Sequence, residues 1–86
     1  MTEKKFTVGQ RVRWISSNTW KVGEVTHVLP AGKTPQDLGV KAGGGGWPRD
    51  HETYIVRGRK TGLHHKEPYG PAANYWPHVS LLEVAP

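Results

Sequence analysis

The segment that decides the fold class is Gln10-Arg11-Val12-Arg13-Trp14-Ile15. In it, Val12 and Trp14 alternate with Arg11 and Arg13. Successive side chains of a strand point to opposite faces, so this period of two predicts a strand with one apolar face and one basic face. The stretch therefore indicates a half-buried sheet rather than a helix.

The rest of the chain also favours strands over helices. The 11 glycines and 7 prolines interrupt every candidate helix, and the apolar runs between them are short and rich in Val, Ile, Trp and Tyr. Further strands are predicted from Trp20 to Leu29, over 52–57, around 74–77 and over 81–84. Gly23, inside the second of these strands, predicts a bulge or a tight bend. Short strands separated by turn residues are typical of a small sandwich or barrel.

A long segment from Pro30 to Asp50 separates the second and third predicted strands. Its prolines and the run Gly43–Gly46 leave room for one helical turn near 34–38, with Thr34 as its cap and Pro35 as its first residue. Loops of this length in compact domains are usually functional or mobile. The glycine run is not a phosphate-binding loop, because no Lys-Ser/Thr pair follows it.

Length and composition predict one domain without disulfide or metal cross-links. The chain has 86 residues and no cysteine, so it has neither disulfides nor a thiolate metal site. We expect a flexible N-terminus over 1–5, a barrel over 6–84 with an insertion over 30–50, and a tail over 85–86. No stretch approaches the roughly 20 apolar residues that span a bilayer, and the N-terminus lacks the apolar stretch of a signal peptide, so the expected location is cytoplasmic. Small size also favours self-association.

Excess positive charge marks one candidate binding region. The chain carries 12 Lys+Arg against 7 Asp+Glu, a formal net charge of +5, which suits either a polyanionic partner or plain solubility. The basic residues concentrate in a predicted loop over 57–66, where glycine would let the backbone approach a phosphate. Its basic residues are Arg57, Arg59, Lys60, His64, His65 and Lys66. The alternative is a solvated hairpin tip.

Both ends of the chain resemble bacterial small barrels of the SH3/Tudor-like kind, including the hypervirulence-associated Tudor-like family. Phe6-Thr7-Val8-Gly9-Gln10-Arg11-Val12-Arg13-Trp14 resembles their opening F-x-x-G-D-x-V-x-W, and Lys21-Val22-Gly23-Glu24-Val25 is similar to their second strand. Residues 75–84 are similar to their closing strand, single helical turn and final strand. The resemblance implies an all-β barrel of about five strands with a short helical turn before the last one. It does not imply a function, because small barrels host many activities.

A second resemblance is to type II dihydrofolate reductase, a small SH3-like barrel that works as a tetramer around a central pore. Gly9-Gln10-Arg11-Val12-Arg13 and Trp20 are similar to its opening G-D-R-V-R and Trp. Its active-site segment V-Q-I-Y-P would fall on 73–77, with Asn74, Tyr75 and Trp76 in the places of Gln, Ile and Tyr. Larger aromatics would then fill a pore that must hold both cofactor and substrate. The resemblance implies an oxidoreductase with a nicotinamide cofactor as an alternative function.

Two aromatic residues are candidate ligand contacts. Trp47 lies between four glycines and Pro48, where it is either a recognition anchor or packed onto the barrel. Tyr75 is the second candidate. Tudor-like barrels can form aromatic cages for methylated cations, and the sequence has the material for one, although core packing accounts for the same residues. The cage candidates are Trp14, Tyr54, Tyr75 and Trp76.

Metal binding and catalysis are not predicted. His64 and His65 are neighbours that would point to opposite faces of a strand, and the other histidines lack ligand spacing. In Asp50-His51-Glu52 the acid and the imidazole are likewise neighbours that would face apart. We predict a binding or assembly module without cofactor or metal, which binds a protein partner or itself and does not interact with a membrane. Weak, sequence-tolerant nucleic-acid binding and the reductase activity are the alternatives.

Overall fold

The structure, a computed structural model, describes residues 5–16, 18–42, 48–61 and 68–85. Within these residues five strands form one antiparallel sheet in the order β4-β3-β2-β1-β5. The strands are β1 (Arg11–Ser16), β2 (Thr19–Leu29), β3 (Thr53–Lys60), β4 (Tyr69–Tyr75) and β5 (Glu83–Val84). Short 3-10 turns occupy Pro35–Leu38 and Val79–Leu81. The predicted all-β, barrel-like fold is confirmed, including the long connection and the helical turn before the last strand.

Two strand boundaries differ from the prediction. β3 continues through Gly58, Arg59 and Lys60, which the sequence placed in a loop. β4 begins at Tyr69, well before the predicted strand near 74–77. It includes Gly70, whose φ is 76°, and Pro71, and both residue types are poor strand formers. β4 is an edge strand of the sheet, and an edge tolerates proline because one side of the strand makes no ladder hydrogen bonds.

The inner face of the sheet carries the first hydrophobic cluster. Its buried members are Phe6, Val12, Trp14, Val25, Tyr54, Val56 and Leu82. Phe6 meets Tyr54 edge to face with ring centroids 5.3 Å apart. The Tyr54 hydroxyl accepts a hydrogen bond from the Phe6 backbone N–H at 3.1 Å and donates to Glu52 Oε1 at 2.7 Å. These contacts hold the segment before β1 against the core. At the other end of the chain, the Ala85 N–H donates to the Arg11 carbonyl at 3.0 Å.

A register shift in β2 creates a second cluster on the outer face. Val25 pairs with Val56 and His27 pairs with Ile55, so β2 has one extra residue, Thr26, at this point. Because side chains alternate, the shift turns Leu29 to the face opposite Val25. There Leu29, Ile55 and Trp76 are buried, with Val40 and Ala42 packed against them. Gly23 was predicted as the irregular position, but the shift lies between Val25 and His27.

The long connection between β2 and β3 covers this second cluster. The Arg49 guanidinium carbon lies 3.8 Å from the ring centroid of Trp76, and its nitrogens donate to the carbonyls of Trp76 at 3.1 Å and Pro77 at 2.9 Å. The Trp76 indole N–H donates to Thr53 Oγ1 at 2.9 Å. The predicted turn begins at Pro35, and the Thr34 backbone N–H before it donates to the Asp37 carboxylate at 2.7 Å. The described parts of this connection therefore form a structural cover at one end of the outer face.

Candidate functional site

The other end of the outer face is uncovered by the described residues and rich in arginine. We call this surface the open face. Cross-strand register builds it from two neighbouring rows, since residues opposite each other on adjacent strands share a face. The first row consists of Arg11, Glu24, Arg57 and Asn74. The second row consists of Glu83, Arg13, Val22 and Arg59. Four arginines against two glutamates make these two rows net positive.

A groove of about 620 Å³ crosses the open face between β1 and β4. Arg11, Arg57 and Arg59 line it together with Glu24. Gly23 and Gly58, which pair across β2 and β3, contribute its backbone floor. A Cβ atom at Gly23 would lie 2.3 Å from the Arg57 carbonyl oxygen, so only glycine permits this close approach of the two strands. The groove is thus a shallow depression with guanidinium groups around it.

The arginines of the groove are not neutralised within the described part of the chain. Arg11 and Arg59 make no ion pair there, and the Arg57 side chain donates one long hydrogen bond, 3.4 Å, to Asn74 Oδ1. Arg13, outside the groove, lies 3.6 Å from Glu83. Adjacent strands lie about 4.8 Å apart, which puts the backbones of Arg11 and Arg57 about 10 Å from each other. A chain of anions could meet several guanidinium groups at once.

The basic residues that the sequence predicted as a binding loop lie in different places: some are on the open face, one is on the inner face, and the rest are outside the described residues. Arg57 and Arg59 are on the open face, as two alternate residues of one strand. Lys60 comes next along β3 and pairs with Lys21 on the other face. Burial and the nearby Lys60 charge lower the pKa of the Lys21 ammonium. The remaining predicted contacts lie outside the described residues; they are Trp47, His64, His65 and Lys66.

Tyr75 lies on the inner face, away from the groove. It pairs with Val56, meets Trp14 edge to face at 5.4 Å between ring centroids, and is half-buried. The Lys21 ammonium lies 5.9 Å from its ring centroid. The structure therefore does not bring Tyr75 together with Arg57 and Arg59, the other predicted binding residues that it describes on the open face.

Three of the four proposed cage aromatics lie together, but they are packed as core. Trp14 and Tyr54 belong to the inner cluster and Tyr75 packs against it, whereas Trp76 belongs to the covered cluster on the outer face, where the Arg49 guanidinium lies over its ring. The reductase-like segment is split between the two faces. Asn74 lies on the open face, Tyr75 on the inner face, and Trp76 is buried. Among the described residues, neither the four cage aromatics nor the reductase-like segment therefore faces one common surface.

Sequence reasoning missed Glu24 and Trp20 of the open face, and it placed Arg11 and Arg13 on the basic face of a strand without linking them to Arg57 and Arg59. Trp20, Val22 and Glu24 alternate along β2, so they share the outer face. This period of two was visible in the sequence as W-K-V-G-E. What was not visible is the register that puts Arg57 beside Glu24 and Arg59 beside Val22.

The described residues do not provide a metal site beside the open face. Over residues 5–16, 18–42, 48–61 and 68–85, no group of three or more His, Cys, Asp or Glu side chains is close enough together to hold a metal ion. The His51 ring hydrogen bonds the exposed Asp50 carboxylate at 2.9 Å, and this contact lowers the pKa of Asp50. None of the helices in those same ranges is long and apolar enough to cross a membrane.

Comparison of the chain with protein-family models, curated proteins and solved structures found no match. The SH3/Tudor-like family and the reductase resemblance therefore stay predictions from the sequence. The class that the structure defines is a small all-β domain with one five-stranded antiparallel sheet in its described residues.

Proposed function

We propose that the protein is a small binding module, not an enzyme, and that its open face binds the phosphate backbone of a nucleic acid. One observation carries the proposal. Arg11 converges on one groove with Arg57 and Arg59, which are distant from it in the chain, and no described carboxylate pairs with these arginines. Arginine presents several donors in a planar fork and is well suited to phosphate oxygens.

Sequence-tolerant binding is the expected mode. Contacts to phosphate carry no sequence information by themselves, and a sheet face has no element that protrudes into a duplex groove. Glu24 lies between Arg11 and Arg57 in the first row, and its negative charge opposes phosphate at the centre of the groove. Moderate affinity that depends on salt follows from this arrangement.

Fluorescence anisotropy with a labelled mixed-sequence oligonucleotide of about twelve nucleotides tests the proposal, offered both as a single strand and as a duplex. Affinity should fall as salt rises. The log–log slope should be about −2 to −3 for three phosphate contacts. Replacing Arg57 and Arg59 together by alanine should flatten the slope by about one to two units.

The matched control is Lys60→Ala, which removes one positive charge next to Arg59 in sequence but on the other face. Arg59→Ala should weaken binding clearly more than Lys60→Ala. Glu24→Gln should tighten binding, because it removes the negative charge from the groove. Equal losses for the two charge variants would show that net charge, not the open face, drives binding. No binding of either probe at ~50 mM salt would refute the proposal.

A further inference from the structure

A partly exposed tryptophan extends the open face. Trp20 follows the same alternation along β2 as Val22 and Glu24, is half-buried, and belongs to neither hydrophobic cluster. Its backbone is held in the sheet, where its carbonyl accepts a hydrogen bond from the Thr61 N–H at 2.7 Å. A large aromatic ring is thus presented from a paired strand next to the arginine rows.

Arg13 lies against this ring. Its guanidinium carbon is 5.6 Å from the Trp20 ring centroid, and its Nε lies 3.6 Å from Glu83 Oε1. A cation at this distance is attracted to the aromatic face. Val22, which lies two residues from Trp20 along β2 and on the same face, lines the groove. Trp20 itself therefore lies beyond the groove lining, at the end away from Glu24.

We propose that the open face selects single-stranded nucleic acid, with a base stacked on Trp20 while Arg11, Arg57 and Arg59 hold phosphates. This inference rests on the proposed function and adds the kind of nucleic acid. Aromatic side chains beside a basic groove are a common means of binding single strands, because every base has a face that can stack. In a duplex the bases are already stacked on one another and cannot reach a ring on a sheet surface.

Spacing along the chain supports a single strand as the occupant. Alternate residues of a strand are about 6.7 Å apart, so Trp20 lies roughly that distance from Val22 and about twice that from Glu24. Arg57 and Arg59 have the same spacing on β3. Phosphate contacts on β3 and a stacking contact on β2 therefore lie within reach of a few consecutive nucleotides.

The test compares three probes against the wild type and Trp20→Ala: the labelled single strand, its duplex, and inorganic polyphosphate of similar length. The wild type should prefer the single strand to the duplex. Trp20→Ala should weaken single-strand binding by about 5- to 150-fold, the usual range for losing one stacked base. Polyphosphate binding should not change, because it has no base to stack.

Two further variants serve as controls. Trp20→Phe keeps an aromatic face and should retain most of the single-strand affinity, which separates stacking from a folding defect. Trp47→Ala tests the tryptophan that the sequence alone had favoured, and it should have a smaller effect than Trp20→Ala. Urea unfolding of each variant verifies that it is folded at the assay temperature.

Several outcomes would overturn the inference. Duplex binding as tight as single-strand binding, or an unchanged affinity in Trp20→Ala, would refute single-strand selection while phosphate binding by the arginines still stood. A loss confined to Trp47→Ala would assign the stacking residue elsewhere. Failure of all three probes to bind would refute both the proposed function and this inference, and would leave an acidic protein surface as the partner to test.

Discussion

Arg49 and Arg59 show how one residue type serves two ends of the same sheet face. Arg49 is stacked on Trp76 at 3.8 Å, donates to two backbone carbonyls, and has its pKa lowered by burial. Arg59 is exposed, borders the groove, and makes no ion pair with a described residue. The first arginine closes the long connection over a hydrophobic cluster. The second leaves its donors available to a ligand.

The difference between the two ends arises from the register shift after Val25. Beyond the shift, Leu29 and Ile55 make the outer face apolar, and the connection packs on it. Before the shift, the outer face carries Glu24, Arg57 and Arg59, and its apolar residues Trp20 and Val22 are only partly buried. A single extra residue in β2 thus separates a covered, structural end from an open, candidate binding end.

The largest expected effect is the loss of stability in Trp76→Ala, at the covered end. The variant removes the centre of the covered cluster and should cost about 3–5 kcal/mol of unfolding free energy, a typical value for a buried tryptophan. The whole stability of a domain this small is about 3–5 kcal/mol, so the variant should be largely unfolded at 25 °C. Circular dichroism with a urea series measures this.

Trp76→Phe is the matched control for that variant. It keeps a ring beneath Arg49 but loses the indole N–H that donates to Thr53 at 2.9 Å. The expected loss is smaller, about 1–3 kcal/mol. A Trp76→Ala variant as stable as the wild type would mean that the covered cluster does not support the fold.

Separate alanine variants of Arg49 and Arg59 compare the covered end with the open end directly. Arg49→Ala removes two hydrogen bonds from a charged donor together with a ring contact, and should destabilise the protein by about 2–3 kcal/mol. Arg59→Ala should change stability by no more than about 0.5 kcal/mol, as surface substitutions usually do. Urea unfolding and oligonucleotide anisotropy are measured on both.

We expect each variant to change only one of the two measured properties. Arg49→Ala should lose stability while retaining affinity under conditions where it is folded, and Arg59→Ala should lose affinity while retaining stability. If both variants lost both properties in the same proportion, the two ends of the face would not be independent.

The smallest expected effect concerns acid sensitivity of the covered end. Hydrogen bonds from Thr34 lower the pKa of Asp37 below its ordinary value of 3.8. A carboxyl whose folded pKa is depressed contributes stability above its unfolded pKa and loses it as pH falls through the folded pKa. Acidification below 3.8 should therefore loosen the turn at Pro35–Leu38.

An NMR titration of the Thr34 amide measures this change. Asp37→Asn should abolish the pH-dependent shift of that amide and leave the open face unaffected. A Thr34 amide that titrated identically in the variant would show that Asp37 does not control the turn.

Much of the fold was predictable because it depends on local patterns. The alternation around Val12 and Trp14 specified a strand and its buried face, and Thr34-Pro35 specified a capped turn. The end of β3 and the start of β4 were not predictable, because Gly58, Gly70 and Pro71 are weak strand formers. Pairing with neighbouring strands, not local preference, makes these residues extended.

By itself, the sequence determined the fold class, the apolar face of the first strand and an excess of positive charge. Only the tertiary structure decided where that charge is concentrated. Arg59 and Lys60 are neighbours in the chain but lie on opposite faces, whereas Arg11 and Arg57 are distant in the chain and share a groove. The physical reason is that strand alternation is a local property, while register and the extra residue after Val25 depend on the packing of strands far apart in sequence.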